Sequence, residues 1–318
     1  MSKIKAEMLS VGAAVPEKVL SNSDLEKMVD TNDEWIVKRT GIKTRRIMDK
    51  SIENPASTLG AKAAEIALDR AGVKAEDVDA VICATFTPDN FFPSTACGIA
   101  NKIGAPTAFA FDISAACSGF IYGLTVAKSL IESGQNKTVL LVGAEIISRA
   151  LDWDDRNTCI LFGDGAGAVV LRATEEDKGV LAASANTDST LGDILHLRSF
   201  DGKQNMFMNG NEVFKQAVRL MTKSTEETLE KCSMGADDVD LLIPHQANMR
   251  IINSVSKKLG VTNDRVIANV SKYGNTSSAS IPIALNEAWE DGRVKEGTVV
   301  AFAALGGGIT YGSALVRF

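Results

Sequence analysis

Three side chains in this sequence have the types and settings needed for covalent chemistry on sulfur: Cys117, His245 and Asn275. Cys117 stands among very small residues in DISAACSGF, which begins at Asp112. The run before it, TAFAFDI from Thr107, reads as a buried strand, and the run after it, GFIYGLTVAKSLIESG, reads as a helix closed by Gly134. A thiol at such a strand-to-helix turn meets free N–H groups and the positive end of the helix dipole, and a sharp turn admits only small neighbours. Both effects predict a stabilised thiolate, the nucleophilic form of cysteine. The plain alternative, a thiol packed as a small core hydrophobe, is the reading for Cys83, Cys97, Cys159 and Cys232.

A nucleophilic cysteine needs partners. Of the two histidines, His245 in IPHQANMR follows an apolar strand, where α/β sheets present ligand-contacting residues, whereas His196 in GDILHLRSF falls in a polar, loop-like stretch. Asn275 lies in SKYGNTSSAS, a cluster that otherwise reads as a turn. GDGAG at 163–167 is neither a Walker loop nor a Rossmann fingerprint, since no Lys-Ser/Thr and no helix follow it. ALGGGITYG at 304–312 offers backbone N–H groups suited to an oxyanion hole.

The elements that position these residues recur. EDVD at 76–79 returns as DDVD at 237–240, an offset of 161, while Gly134 after IES aligns with Gly292 after WED at an offset of 158. Carried back along the chain, the second offset sets Asn275 opposite Cys117. Two copies of domain size, 1–173 and 174–318, are therefore expected, the first carrying the cysteine and the second the histidine and asparagine. Short apolar strand runs alternate with helix patterns in both, which predicts an α/β protein with strands covered on both faces. The helix expected from Ser118 to Ser133 is apolar almost all round and belongs in an interior.

Composition narrows the field. The chain has 318 residues, 45% of them hydrophobic, and a net charge of -6, which argues against nucleic acid as the main partner. Its N-terminus lacks the apolar core of a signal peptide and no run is long enough to span a bilayer, so a cytoplasmic protein without a membrane partner is expected. Five scattered cysteines without C-x-x-C, and two histidines, indicate neither a disulfide framework nor a metal site.

With these flanks, the set Cys117, His245 and Asn275 resembles the β-ketoacyl-acyl carrier protein synthase III family of thiolase-fold condensing enzymes. The likeness runs from VPEKVLSNSDLEKMVDTNDEWIVKRTGI through FPSTAC, AACSGF, DRNTCILFGDGAGA, GNEVFK, PHQANMRI and YGNTSSASIP to GGGITYGSALVRF, essentially the whole chain. It implies a thiolase-like fold, two pseudo-symmetric βαβαβ-type halves packed as layered α-β-α-β-α. It also implies an acyltransferase that loads a primer from acyl-CoA onto Cys117 and condenses it with malonyl-acyl carrier protein, releasing carbon dioxide, to begin fatty acid synthesis. No metal and no tightly bound cofactor are implied.

The resemblance further assigns His245 and Asn275 to the enolate oxygen left by decarboxylation, with the histidine neutral, and the N–H groups of Cys117 and Gly307 to the acyl carbonyl. Trp35, Arg39 and Arg156 match the family's coenzyme A site, together with Thr31 and Asn248. Asn157-Thr158 stands where the family usually has Gly-Thr. Arg250, Lys257 and Lys258, with Lys215, would dock the acidic carrier protein, and Phe92 would cross a homodimer interface to wall the partner's acyl pocket. Competing readings are a polyketide or alkylquinolone-type synthase of the same fold, a cysteine acyl-CoA hydrolase, and a non-catalytic acyl-CoA-binding homologue.

Overall fold

The apolar runs of both copies become the strands of two sheets, sandwiching a shared pair of helices. The computed structural model describes residues 4–198 and 205–318. The first sheet has the order Lys5–Ala14, Gly165–Thr174, Thr138–Glu145, Ala80–Ala84, Phe109–Ile113, and the second the order Gly179–Thr187, Thr310–Arg317, Val299–Gly306, Leu241–Pro244. In both, the first three strands pair antiparallel and the rest parallel. The second sheet's counterpart of the edge strand Phe109–Ile113 is reduced to a single bridge between Leu242 and Val266.

Alternation along the strands creates the layers. In Val299–Gly306, Val300, Phe302 and Ala304 face inward, while Ala301, Ala303 and Leu305 face the opposite side. The inward residues of both sheets pack on helices Gly119–Glu132 and Ser280–Glu290, which form the middle layer. Helices Pro55–Ala71 and Thr95–Ile103 cover the outer face of the first sheet, and Gly210–Lys231 and Met249–Leu259 that of the second. The result is the five-layered α-β-α-β-α arrangement of the thiolase fold. Among the described residues, no helix is long and apolar enough to cross a membrane.

The structure corrects one register. The middle helices start at Gly119 and Ser280, an offset of 161, and end at Glu132 and Glu290, an offset of 158. The second helix is three residues shorter, 11 against 14, so an offset read after the helices fails before them. The counterpart of Cys117 is therefore Ser278, and Asn275 corresponds to Ser114. Equivalent one-turn 3₁₀ segments, Ala116–Ser118 and Ser277–Ala279, precede the two helices. Each begins with a non-glycine residue in the left-handed region, Ala116 at φ 46° and Ser277 at φ 49°.

Candidate active site

Ser114 to Cys117 at the first turn, and Asn275 just ahead of the second, line one cavity of about 1050 Å³ together with His245 and Gly307. The three side chains expected to act together are thus brought together, all buried: Cys117 is 8% exposed, His245 2% and Asn275 7%. The strand ends cross over beneath them. A Cβ on Gly306, the last residue of its strand, would lie 2.6 Å from the Cys117 nitrogen. The equivalent residue of the other sheet, Glu145, meets the opposite turn by a 3.0 Å hydrogen bond from Ser278 Oγ.

His245 is fixed by its Nδ1, 2.7 Å from Ser280 Oγ. Ser280 Oγ also accepts from the Gln246 N–H at 3.3 Å. With no other acceptor for it among the described residues, the Ser280 hydroxyl donates to Nδ1, so Nε2 carries the ring hydrogen and is itself without a partner among the described residues. Burial pushes the His245 pKa down to about 3, so the ring is neutral. Asn275 is held by its carbonyl oxygen, which accepts from Ser277 N–H at 2.8 Å, and by backbone bonds to Leu161 and Gly163. That leaves its Nδ2 without a partner among the described residues.

The thiol departs from the sequence expectation. The Cys117 pKa is pushed up to about 12, chiefly by burial and in smaller part by the Glu145 charge, against the lowering effects of Ser277 and its own N–H. Burial outweighs these lowering effects, which favours the thiol over the thiolate at rest, so its proton must be taken up during reaction.

Other expected residues divide. Trp35 and Arg39 line the cavity mouth, with the Arg39 guanidinium 4.9 Å from the indole centroid. Arg156 stacks on the same indole at 5.2 Å and donates to the Asp30 carbonyl oxygen, without itself lining the cavity. Asn248 lines it while capping helix Met249–Leu259 through a 3.0 Å bond from the Ile251 N–H. Thr31 lies outside the lining, its Oγ1 buried without a partner among the described residues. Arg250 reaches the rim over the Phe214 ring at 5.2 Å, while Lys215, Lys257 and Lys258 are exposed nearby on the two outer helices. Phe92, 86% exposed beside Phe91 at 96%, lines a separate 500 Å³ hollow that shares only Phe86 and Leu197 with the cavity.

Sequence reasoning missed three contributors. His196 is not in a loop: it lies in strand Leu195–Arg198, stacks on Phe207 at 5.3 Å and lines the cavity. Ser280 carried no signal beyond its serine-rich surroundings. Glu145 did carry one, as the only charge in the apolar run TVLLVGAE. Among the described residues, no cluster of His, Cys, Asp or Glu could hold a metal ion.

Comparison with known proteins identifies the family. The sequence family "3-Oxoacyl-[acyl-carrier-protein (ACP)] synthase III" matches residues 111–189, and its C-terminal family matches 229–318. The β-ketoacyl-[acyl-carrier-protein] synthase III of Campylobacter fetus is 50% identical across 99% of this chain and 98% of its own. This chain belongs to the β-ketoacyl-acyl carrier protein synthase III family. As a member it is a condensing acyltransferase of fatty acid biosynthesis. The synthase III crystal structure from Aquifex aeolicus superposes with a TM-score of 0.94 at 48% identity, covering 98% of this chain and 100% of that one. A priming β-ketosynthase from the R1128 polyketide pathway also reaches a TM-score of 0.94, at 33% identity over 98% and 96% of the two chains.

Proposed function

We propose that Cys117 carries the acyl group, and that His245 and Asn275 serve the condensation. The thiol sulfur attacks the carbonyl of an acyl-CoA primer, the bond to the coenzyme A sulfur breaks, and an acyl-enzyme remains. Malonyl-acyl carrier protein then loses carbon dioxide, and the electron pair becomes an enolate. That enolate attacks the acyl carbonyl, giving β-ketoacyl-acyl carrier protein and returning the electron pair to sulfur. The observation that carries this reading is the pair of unengaged donors, His245 Nε2–H and Asn275 Nδ2, sharing one cavity with the Cys117 thiol. Both are neutral donors fixed by their other polar atom, the arrangement that stabilises a developing oxyanion without reorganisation.

The N–H groups of Cys117 and Gly307 find no backbone acceptor among the described residues and suit the acyl carbonyl. Trp35, Arg39 and Arg156, with Asn248 and Thr31, are proposed for the adenine end of coenzyme A. Adenine stacking on Trp35 would contest the place Arg156 takes on that indole. Arg250, Lys215, Lys257 and Lys258 are proposed to dock the acidic carrier protein. Phe92 is proposed to enter the partner of a homodimer, whose compartment is the cytoplasm. The two halves, 1–173 and 174–318, are proposed as the evolutionary units, and the reaction as metal-free.

Peptide mass spectrometry after brief mixing with acetyl-CoA, isobutyryl-CoA and octanoyl-CoA, with a malonyl-acyl carrier protein chase, tests the reading. An adduct on the Cys117 peptide, discharged by the chase as β-ketoacyl product, is expected. An adduct released only as free acid would point to hydrolysis instead. Cys117→Ser should form no adduct, whereas His245→Ala and Asn275→Ala should form it and fail to discharge it. Equal loss of both steps in Asn275→Ala would overturn the division of roles.

A further inference from the structure

Among the described residues the largest fully buried side chain is a charged one, Arg45, at the centre of the short strand Thr44–Arg46. Its acceptors are three neutral oxygens. One arm of the guanidinium, Nη1, donates to Asn22 Oδ1 at 2.9 Å and to the Leu20 carbonyl at 3.2 Å, and the other, Nη2, donates to the Ile160 carbonyl at 2.7 Å. No carboxylate among the described residues pairs with it, and its Nε has no acceptor among them. Burial lowers its pKa to about 10, so it remains a cation at neutral pH. A charge buried without a counter-charge costs stability, so stability gives no reason for a cation here.

What the arginine holds is the backbone around Asn275. Ile160, Leu161 and Phe162 line the cavity; the Leu161 carbonyl accepts the Asn275 N–H at 2.8 Å, and the Gly163 N–H donates to the Asn275 carbonyl at 3.0 Å. The Arg45 stem fills the angle between these two runs, for a Cβ on Gly163 would lie 3.1 Å from the Arg45 Cβ and one on Gly274 3.3 Å from it. Its neighbours grip the approach to Asn275: the Lys43 N–H donates to the Ser271 carbonyl at 3.0 Å, and Thr44 Oγ1 to the Lys272 carbonyl at 2.8 Å. At the other arm Asn22 is locked in turn, its Nδ2 committed to Asp33 Oδ1 and to the Ile42 carbonyl at 2.8 Å each. The two arms therefore clamp the run that pairs with Asn275 onto a fixed amide.

We propose that Arg45 is the positioning residue for Asn275: through the run from Ile160 to Gly163 it sets where the Asn275 Nδ2–H meets the enolate oxygen, and it takes no part in loading Cys117. The inference rests on the reading of Asn275 as a donor in condensation. Arg45 touches no substrate, and neither a lysine nor an apolar side chain can replace it, because only a rigid fork reaches the Asn22 and Ile160 oxygens together. A donor displaced by about 1 Å loses on the order of 100-fold in rate, so a small relaxation of this backbone is enough to register.

The test separates the two half-reactions and couples the two residues. Arg45→Met keeps the stem and removes both arms. It should slow discharge of the acyl group from Cys117 by malonyl-acyl carrier protein about 100-fold, while coenzyme A release in the first turnover stays within about threefold of wild type. Added to Asn275→Ala, it should not lower the residual discharge further. Equal loss in both half-reactions, or losses that multiply in the double variant, would overturn the proposal in favour of a general structural role. Arg45→Lys, which keeps the charge but reaches one side only, stands in if Arg45→Met melts out and should show the same selective loss, of about tenfold. Amide exchange needs no substrate and so tells failure of this inference from failure of the proposed function. In either Arg45 variant the Gly163 and Asn275 N–H groups should exchange faster than in wild type, while strand Val299–Gly306 keeps its protection. Unchanged exchange at those two groups, or a uniform rise along the chain, would count against Arg45 whatever the protein condenses.

Discussion

Burial moves the two titratable residues flanking the Cys117 turn in opposite directions, and stability should register both. His245 is lowered from 6.5 to about 3, so its contribution is complete above pH 6.5 and drains away as pH falls through 3, where only the unfolded chain is protonated at first. Glu145 is raised from 4.5 to about 7, so its contribution is complete below pH 4.5 and drains away as pH rises through 7. Urea midpoints measured from pH 4 to 8 should therefore slope less steeply downward toward acid in His245→Gln, and should lose their decline toward neutrality in Glu145→Gln. A second prediction concerns Ser280, which touches no substrate and acts by holding the imidazole tautomer. Ser280→Ala should cost roughly 100-fold in condensation, about the worth of one oxyanion donor, while coenzyme A release in the first turnover stays near wild type. Ser280→Thr should restore the rate. Equal loss in both half-reactions would show that Ser280 merely supports the fold.

Among the elements, the two crossing strand ends carry the most exacting requirement. Any side chain at Gly306 would drive its Cβ to 2.6 Å from the Cys117 nitrogen, 2.9 Å from the Ser118 nitrogen and 3.0 Å from the Ala115 oxygen, all backbone atoms that cannot rotate away. Gly306→Ala should thus lose about 1–3 kcal/mol from the urea-unfolding free energy and most of its acylation rate, since the nucleophile turn must shift. Gly235, outside the cavity lining and with only a 3.9 Å contact to the Asp238 carboxylate, is the control: Gly235→Ala should hold wild-type activity. The strands and helices around these turns were legible because each apolar run obeys a simple period. The duplication was legible too, but its local register was not. A three-residue shortening inside the second middle helix is silent in a sequence whose apolar residues surround the helix, so Asn275 was matched to Cys117 in place of Ser278. Nor was the antiparallel pairing of Leu195–Arg198 with Asn205–Met208 legible, because its packing against the cavity is wholly tertiary. The thiol state eluded it for the same reason: the helix dipole is local and can be read, while desolvation depends on everything that closes over the sulfur.

At the scale of the whole molecule, the halves recognisable in sequence are not independent in physics. Each contributes one of the two middle helices, and both helices are buried between residues of both sheets, with Phe120 of the first meeting Phe302 of the second sheet edge to face at 6.1 Å. Arg70 ties the outer helix of the first half to Asn286 and Glu290 of the second. A half expressed alone would expose the inward face of its sheet and one flank of its middle helix, an apolar surface far larger than soluble monomers present. Residues 1–173 and 174–318 should therefore each lack a cooperative thermal transition when separate. Co-expressed, they should associate, melt as one unit and regain acylation of Cys117, because the chain between Thr174 and Gly179 carries only the short connection between the sheets. If the first fragment melted cooperatively and was acylated unaided, the cavity would have to form without His245 and Asn275. The convergence of the two turns would then be a property of docking, and not of the shared core.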